Sequence, residues 1–458
     1  MGAPLDQATK LTERIIDECQ KIKGLGPRDL IKGDEFGLPR LIPDGNGQTV
    51  QINKAIDEQI SEVARVLMQA RGANTKNVRD EEWRLWVRSA IGPALMQIQS
   101  SETREVAAAG VVSRVDAELD VLLSGLPACE YAFGTTLFAS SDMARFTIGP
   151  VVFERREDWL SRKLADGSIS QIMYRRILRA WSGARLPRRK ETIDHLRERG
   201  ILETLGPCPV VCTVQVVGHS AEAGRELALS ATRLGLTCIS LIWDRPSRVL
   251  DGFNLRYDRG MYRESTLRFV PGKFALPGSR IRGRKHGPHM SSGDWATELA
   301  THSAFFTASA EVIEYLLSAD GQVTRPLLMN ALLQSLLWFY EGCREENDLL
   351  AIVNFAAALD ALGGGKKAKA ILQVLEARVG VLASSPVYAG GPTLKGVIDT
   401  IYSDGRSRAI HGTSDKIGHD WTQTRGIAEV LARHALFASI EWVGANPRVS
   451  DDPELLKK

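Results

Sequence analysis

"PTLKGVIDTIYSDGRSRAIHG", residues 392–412, decides how the C-terminal third of the chain is read. Pro392 suits a first helical position, where its fixed φ and missing N–H cost nothing. Gly412 suits a stop. The stretch reads as an amphipathic helix, and its neighbours read the same way. "RPLLMNALLQSLLWFYEGC" (325–343) is strongly apolar. "NDLLAIVNFAAALDALGGG" (347–365) opens on an Asn cap and closes on glycines. "KAKAILQVLEARVGVLA" (367–383) carries Ile371, Leu372, Leu375 and Val379, and "TRGIAEVLARHALFASIEWV" (424–443) closes the set. Five helices with short connections predict a compact bundle over 296–458.

Working outward, residues 1–125 read as a helical region. "INKAIDEQISEVARVLMQAR" (52–71) sets Ile52, Ile56, Ile60, Val63, Val66 and Leu67 near one stripe. Two further helices are expected near 80–98 and 103–124, with Gly125 as a cap. Residues 1 to about 50 otherwise read as a short polar helix and a loop rich in Gly and Pro. Residues 126–295 change texture. "FGTTLFAS" and "RFTIGPVVFE" read as strands, and "REDWLSRKL" and "SQIMYRRILRAW" as helices. "CPVVCTVQVVG" (208–218), "SAEAGRELALSATRLG" (220–235) and "LTCISLIW" (236–243) read as strand, helix and strand. Residues 244–293 are a long Gly, Pro and Arg-rich loop with two short strands. The expected fold class is therefore a multidomain α plus α/β chain: a helical N-terminal region, a central α/β or α+β domain and an all-α C-terminal bundle.

The 458 residues carry 44% apolar and 25% charged side chains and a net charge of +3, so only local charge clusters point to nucleic acid. The six cysteines are scattered, as buried thiols of a reducing compartment would be. No apolar run opens or spans the chain, so a cytoplasmic protein without membrane contact is expected.

Gly218-His219-Ser220 follows a strand and opens a helix, the setting of a hydrolase nucleophile elbow. That turn needs Gly two residues after the Ser, and Glu222 stands there, so Ser220 is expected to cap a helix instead. Cys208 and Cys212 lack two further ligands at zinc spacing and read as core side chains; no metal and no cofactor is expected. Two basic clusters suit a phosphate backbone. One holds Arg175, Arg176, Arg179, Arg188 and Arg189, with Tyr174 and Trp181 available to stack on bases. The other holds Arg282, Arg284 and Lys285. The competing reading is a solvated helix face for the first and a loop for the second.

Arg406 and His411 stand five apart. Arg284 and His289 match the same spacing, but in a Gly/Pro loop with nothing to fix their geometry. Imidazole can take a proton from an RNA 2′-OH or give one to the leaving 5′-oxygen near neutral pH. A guanidinium can fork onto phosphate oxygens and hold the charge that develops there. On an ideal helix a five-residue spacing puts two side chains about 140° apart. The pair meets one phosphate only if the helix stops near Gly412, and a two-fold axis would bring two copies of it into one cleft.

With Arg406, a small polar residue after it (Ser407) and His411 late in a helical bundle, the C-terminal part resembles the HEPN superfamily, in its ApeA-like branch. That resemblance covers about 300–445. It implies a metal-independent endoribonuclease of an antiviral-defence or toxin type, working as a homodimer through the bundle. It implies RNA as substrate and a trigger or antitoxin as a further partner. Arg406, Ser407 and His411 would be catalytic, with Asp360 and Asp404 as supporting partners of Arg406. The alternative is a non-catalytic HEPN dimer that binds RNA or scaffolds, with sensing in the N-terminal domains.

Overall fold

The computed structural model describes residues 2–31, 40–138, 142–187, 190–253, 255–258, 262–272, 276–282, 287–318, 323–411 and 418–458. Among these described residues the chain is mostly helical, with a small antiparallel sheet and two hairpins. It falls into two compact units where the sequence reading drew three segments. One is Met1–Cys129 with Val216–Glu226; the other is Glu130–Gln215 with Leu227–Lys458.

In the first unit, α1 (Gly2–Ile22), α3 (Lys54–Arg71), α4 (Asp80–Met96) and α5 (Arg104–Ser124) pack by their apolar stripes. Ile15, Ile56, Ile60, Leu67, Val87 and Val111 fill the core. Trp83 is buried with them, and its Nε1–H donates to the Ala64 carbonyl at 2.8 Å, so no polar atom is stranded. Asn53 and Thr103 accept N–H groups of the first turns of α3 and α5. Between α1 and α3 lie a short α2 (Pro27–Leu30) and a hairpin of β1 (Arg40–Pro43) and β2 (Thr49–Ile52). The sequence predicts loop here, and the structure has a hairpin. Asp44 organises its turn, accepting the N–H groups of Asn46 at 2.8 Å and Gln48 at 2.9 Å.

The second unit starts with a four-stranded sheet of β3 (Cys129–Thr135), β4 (Phe146–Ile148), β5 (Val151–Arg155) and β6 (Val210–Val216), in the order β3-β6-β5-β4. β5 runs antiparallel to both β4 and β6. The chain between β5 and β6 forms α6 (Arg156–Ala165), α7 (Gln171–Trp181) and α8 (Ile193–Leu205). Then comes α9 (Ala221–Ser240), which corrects the expected strand over 236–243. Gly235 is the last residue of the helix expected over 220–235. It instead sits inside the helix, where a Cβ would come 3.2 Å from the Phe153 ring, so its missing side chain lets α9 lie close to β5. Thr237 returns its hydroxyl to the Arg233 carbonyl at 2.8 Å, so this buried polar group is satisfied within the helix. The strand–helix–strand unit is therefore absent.

α10 (Pro246–Gly252) and a hairpin of β7 (Tyr262–Arg268) and β8 (Leu276–Arg282) lead into the C-terminal helices. These are α11 (Ser292–Thr301), α12 (Ser303–Leu317), α13 (Pro326–Arg344), α14 (Asp348–Leu362), α15 (Lys367–Val374), α16 (Leu394–Asp399) and α17 (Thr422–Ala445). The boundary drawn at residue 295 is bridged by packing: Trp295 lies 5.1 Å from Phe146 of the sheet and 5.8 Å from Phe306 of α12, ring to ring. α14 is the bundle's central helix, packed on α13, α15 and α17. Arg325, 3% exposed, donates to the carbonyls of Val443 and Asn446 at the end of α17 and pairs with Glu311 at 2.5 Å. No single helix among the described residues is long and apolar enough to cross a membrane.

Candidate functional site

α15 and α16 each run on into a π-helical segment, Leu375–Val379 and Thr400–Arg408. Such i→i+5 winding is rare and often marks a functional site. The second segment packs on α14. Gly405 makes that approach: it is buried, and a Cβ on it would come 2.5 Å from Ile352 Cγ2. The next residue, Arg406, is thereby laid against α14.

Arg406 Nη1 donates to Asp360 Oδ2 at 2.8 Å and to the Tyr402 hydroxyl oxygen at 2.8 Å. Its guanidinium carbon lies 5.1 Å from the centre of the Tyr402 ring. Asp360 is 6% exposed. Its Oδ1 accepts the Lys367 N–H at 3.0 Å, so the carboxylate also pins the turn from α14 to α15. Lys367 there holds a left-handed φ of 66°. The Tyr402 hydroxyl is pushed upward in pKa, first by burial and then by the Asp360 charge, with Arg406 opposing. It therefore stays protonated at neutral pH. Because it accepts from Arg406, its own O–H is left to donate. Sequence reasoning missed Tyr402; the signal was its i, i+4 spacing to Arg406.

His411 follows at the end of the helix, exposed to solvent, with its N–H on the Ser407 carbonyl at 3.1 Å. Ser407 is half-buried. Arg406 and His411 thus present to different surroundings, the first to α14 and the second to water. Gly412, expected as the stop, lies outside the described residues. Asp404, expected beside Arg406, pairs with Arg408 at 3.3 Å, because four-residue spacing stacks the two on one strip.

The basic clusters sort unevenly. Arg175 and Arg179 are exposed on α7. Arg176 is instead tied at 2.7 Å to Glu198 of α8, a side chain only 5% exposed, which holds two helices together. The expected base-stacking aromatics are also occupied. Trp181 lies under Arg156, 4.7 Å from guanidinium carbon to ring centre, and the Tyr174 hydroxyl is 3.2 Å from Ser161 Oγ. Arg188, Arg189, Arg284 and Lys285, and the side chain of Arg282, lie outside the described residues.

Ser220 is 1% exposed and bonds the Glu82 carboxylate, which also takes the Glu222 N–H at 3.0 Å. The start of α9 is therefore capped by Glu82, where the sequence pointed to Ser220 itself. Cys208 and Cys212 are buried in and beside β6. Burial pushes the Cys208 thiol up to about 11 and Cys212 well above the usual range. Among the described residues no group of three or more His, Cys, Asp and Glu is placed to hold a metal ion. Comparison with protein-family models, with curated proteins and with solved structures finds no match to this chain.

Proposed function

We propose that the C-terminal bundle is a HEPN-type endoribonuclease that cuts RNA by attack of its own 2′-OH, at a site composed from two copies of the chain. The observation that carries this reading is the pairing of an anchored cation with an open imidazole five residues later. Asp360 and Tyr402 fix Arg406 by one nitrogen, so the remainder of the fork can meet a phosphate without searching for its geometry. His411, exposed at the helix end, can reach a nucleotide from solvent. RNA brings its nucleophile with it, so one proton acceptor, one proton donor and a cation suffice. A single His411 supplies one of the two proton transfers. The second copy of the chain would supply the other, which is why the active form is a homodimer. Arg175 and Arg179 are exposed cations that can steer the backbone. In a cell, such an enzyme acts in antiviral defence or as a toxin, in the cytoplasm.

The test is cleavage of a single-stranded RNA by purified wild type and His411→Ala, with the dimer checked by light scattering. The reading expects cleavage by the wild type, products with 2′,3′-cyclic phosphate ends, and loss of both in the variant while the dimer persists. Cleavage by His411→Ala at the wild-type rate would sink it.

A second reading draws on the same ion pair. Arg406 held by a buried Asp360 ties the π-helical segment to α14, as a purely structural contact would. A non-catalytic scaffold or RNA-binding module then follows. Arg406→Ala separates the two: a scaffold loses stability alone, whereas the nuclease loses catalysis by more than its loss of folded protein.

A further inference from the structure

The sheet and the three helices between β5 and β6 line an open pocket of about 380 Å³ that no step of the nuclease reading uses. Its floor is apolar and buried: Trp159, Ile169, Met173 and Leu205. Its mouth carries Lys163 and Arg197. The volume falls within the range of sites for small ligands, and an apolar lining with few polar groups is their usual make-up.

Gly200 lies on the open side of this pocket. It lines the pocket from the middle of α8. A Cβ there would meet nothing within 4 Å. A mid-helix Gly costs stability relative to Ala, and here no neighbour requires it. Gly200 is itself exposed, so the space in front of it is the open side of the pocket, and a larger side chain there would fill that opening. Arg197, Gly200, Ile201 and Thr204 share one stripe of α8 at three- and four-residue spacing, so the stripe presents a cation beside an apolar slot. The two cations differ. Lys163 already sits 3.2 Å from both Glu130 and Asp166. Arg197 is 66% exposed, and the carboxylate that pairs with it among the described residues, Asp194, stands at 3.8 Å. Arg197 is the cation available to a ligand.

We propose that this pocket binds a small free amphiphile, with its apolar body against Met173 and Gly200 and a carboxylate at Arg197. The proposal does not depend on the nuclease reading. Full-length protein is titrated with octanoate and with 1-octanol by calorimetry, in wild type, Gly200→Leu and Arg197→Ala. Octanoate should bind the wild type and raise its melting temperature. Gly200→Leu should melt no lower than wild type without ligand, because Leu is the better helix former, yet fail to bind. Arg197→Ala should weaken octanoate about tenfold, the scale of one charge-assisted hydrogen bond, and leave octanol unchanged. Absence of octanoate binding, or unchanged binding by Gly200→Leu, overturns the site. Octanol binding the wild type as tightly as octanoate overturns the carboxylate. Flotation with vesicles of anionic phospholipid that Gly200→Leu abolishes overturns the free ligand in favour of a bilayer.

Discussion

Gly405→Ala tests the geometry of the candidate site at its narrowest point. The added Cβ would lie 2.5 Å from Ile352 Cγ2, well inside any real carbon–carbon contact. Ile352 is fully buried on α14, so its methyl cannot swing into water. Either its rotamer is forced or the π-helical segment lifts from α14, and overpacking of this kind costs about 1–3 kcal/mol. For a domain of this size each kcal/mol lowers the melting temperature by about 2–4 °C, so a fall of several degrees is expected. Lifting the segment also lengthens the 2.8 Å contact between Arg406 and Asp360. If the proposed nuclease is active, RNA cleavage should fall further than the folded fraction does. Ile352→Ala removes the obstructing methyl and alone costs about 2–5 kcal/mol as a cavity. The double variant should be more stable than the sum of the two losses predicts, because the new methyl fills the space the old one left. Melting curves of the four proteins read the coupling directly. A Gly405→Ala protein that melts with the wild type, or two strictly additive losses, would refute the close approach of the segment to α14.

Other outcomes follow from the same geometry. Arg325→Ala should destabilise the protein by about 2–4 kcal/mol in chemical denaturation, because it strands two carbonyls and unpairs Glu311. Burial raises the thiols of Cys208 to about 11 and Cys238 to about 12. Both therefore remain protonated far above neutrality, and iodoacetamide at pH 8 should label them only after unfolding, as read by mass spectrometry. Asp360→Asn keeps the shape but removes the charge facing Tyr402, so the Tyr402 hydroxyl should titrate at lower pH than in the wild type, as followed by ultraviolet absorbance.

The long periodic helices were legible in the sequence because one apolar face every three to four residues is a local signal. Residues 54–71 and 326–344 are helices where the pattern placed them. The strand expected at 236–243 failed for a non-local reason. Gly235 looks like a stop in one dimension, and only Phe153 opposite it shows that it is a packing glycine. The β1–β2 hairpin failed differently: its Asp-Gly-Asn-Gly turn was visible, but each strand is only four residues long and carries little alternation. At the candidate site, Arg406 and His411 could be named from residue type and spacing, and Asp360 only from the resemblance they carry. The ion pair between Arg406 and Asp360 joins residues 46 apart, and nothing local fixes it. The π-helical winding over Thr400–Arg408 has no composition of its own, and the four-residue spacing of Tyr402 to Arg406 does not by itself show that the two meet. Arg176 likewise looked like one cation of a surface cluster until Glu198, 22 residues away, proved to be its partner.

The central claim is that Arg406 and His411 cut RNA together. The most direct measurement is cleavage of a 5′-labelled single-stranded RNA by the wild type, His411→Ala and Arg406→Ala, each in EDTA. The account predicts endonucleolytic products with cyclic phosphate ends from the wild type alone. Intact RNA with the wild type, or equal cleavage by all three, would contradict it.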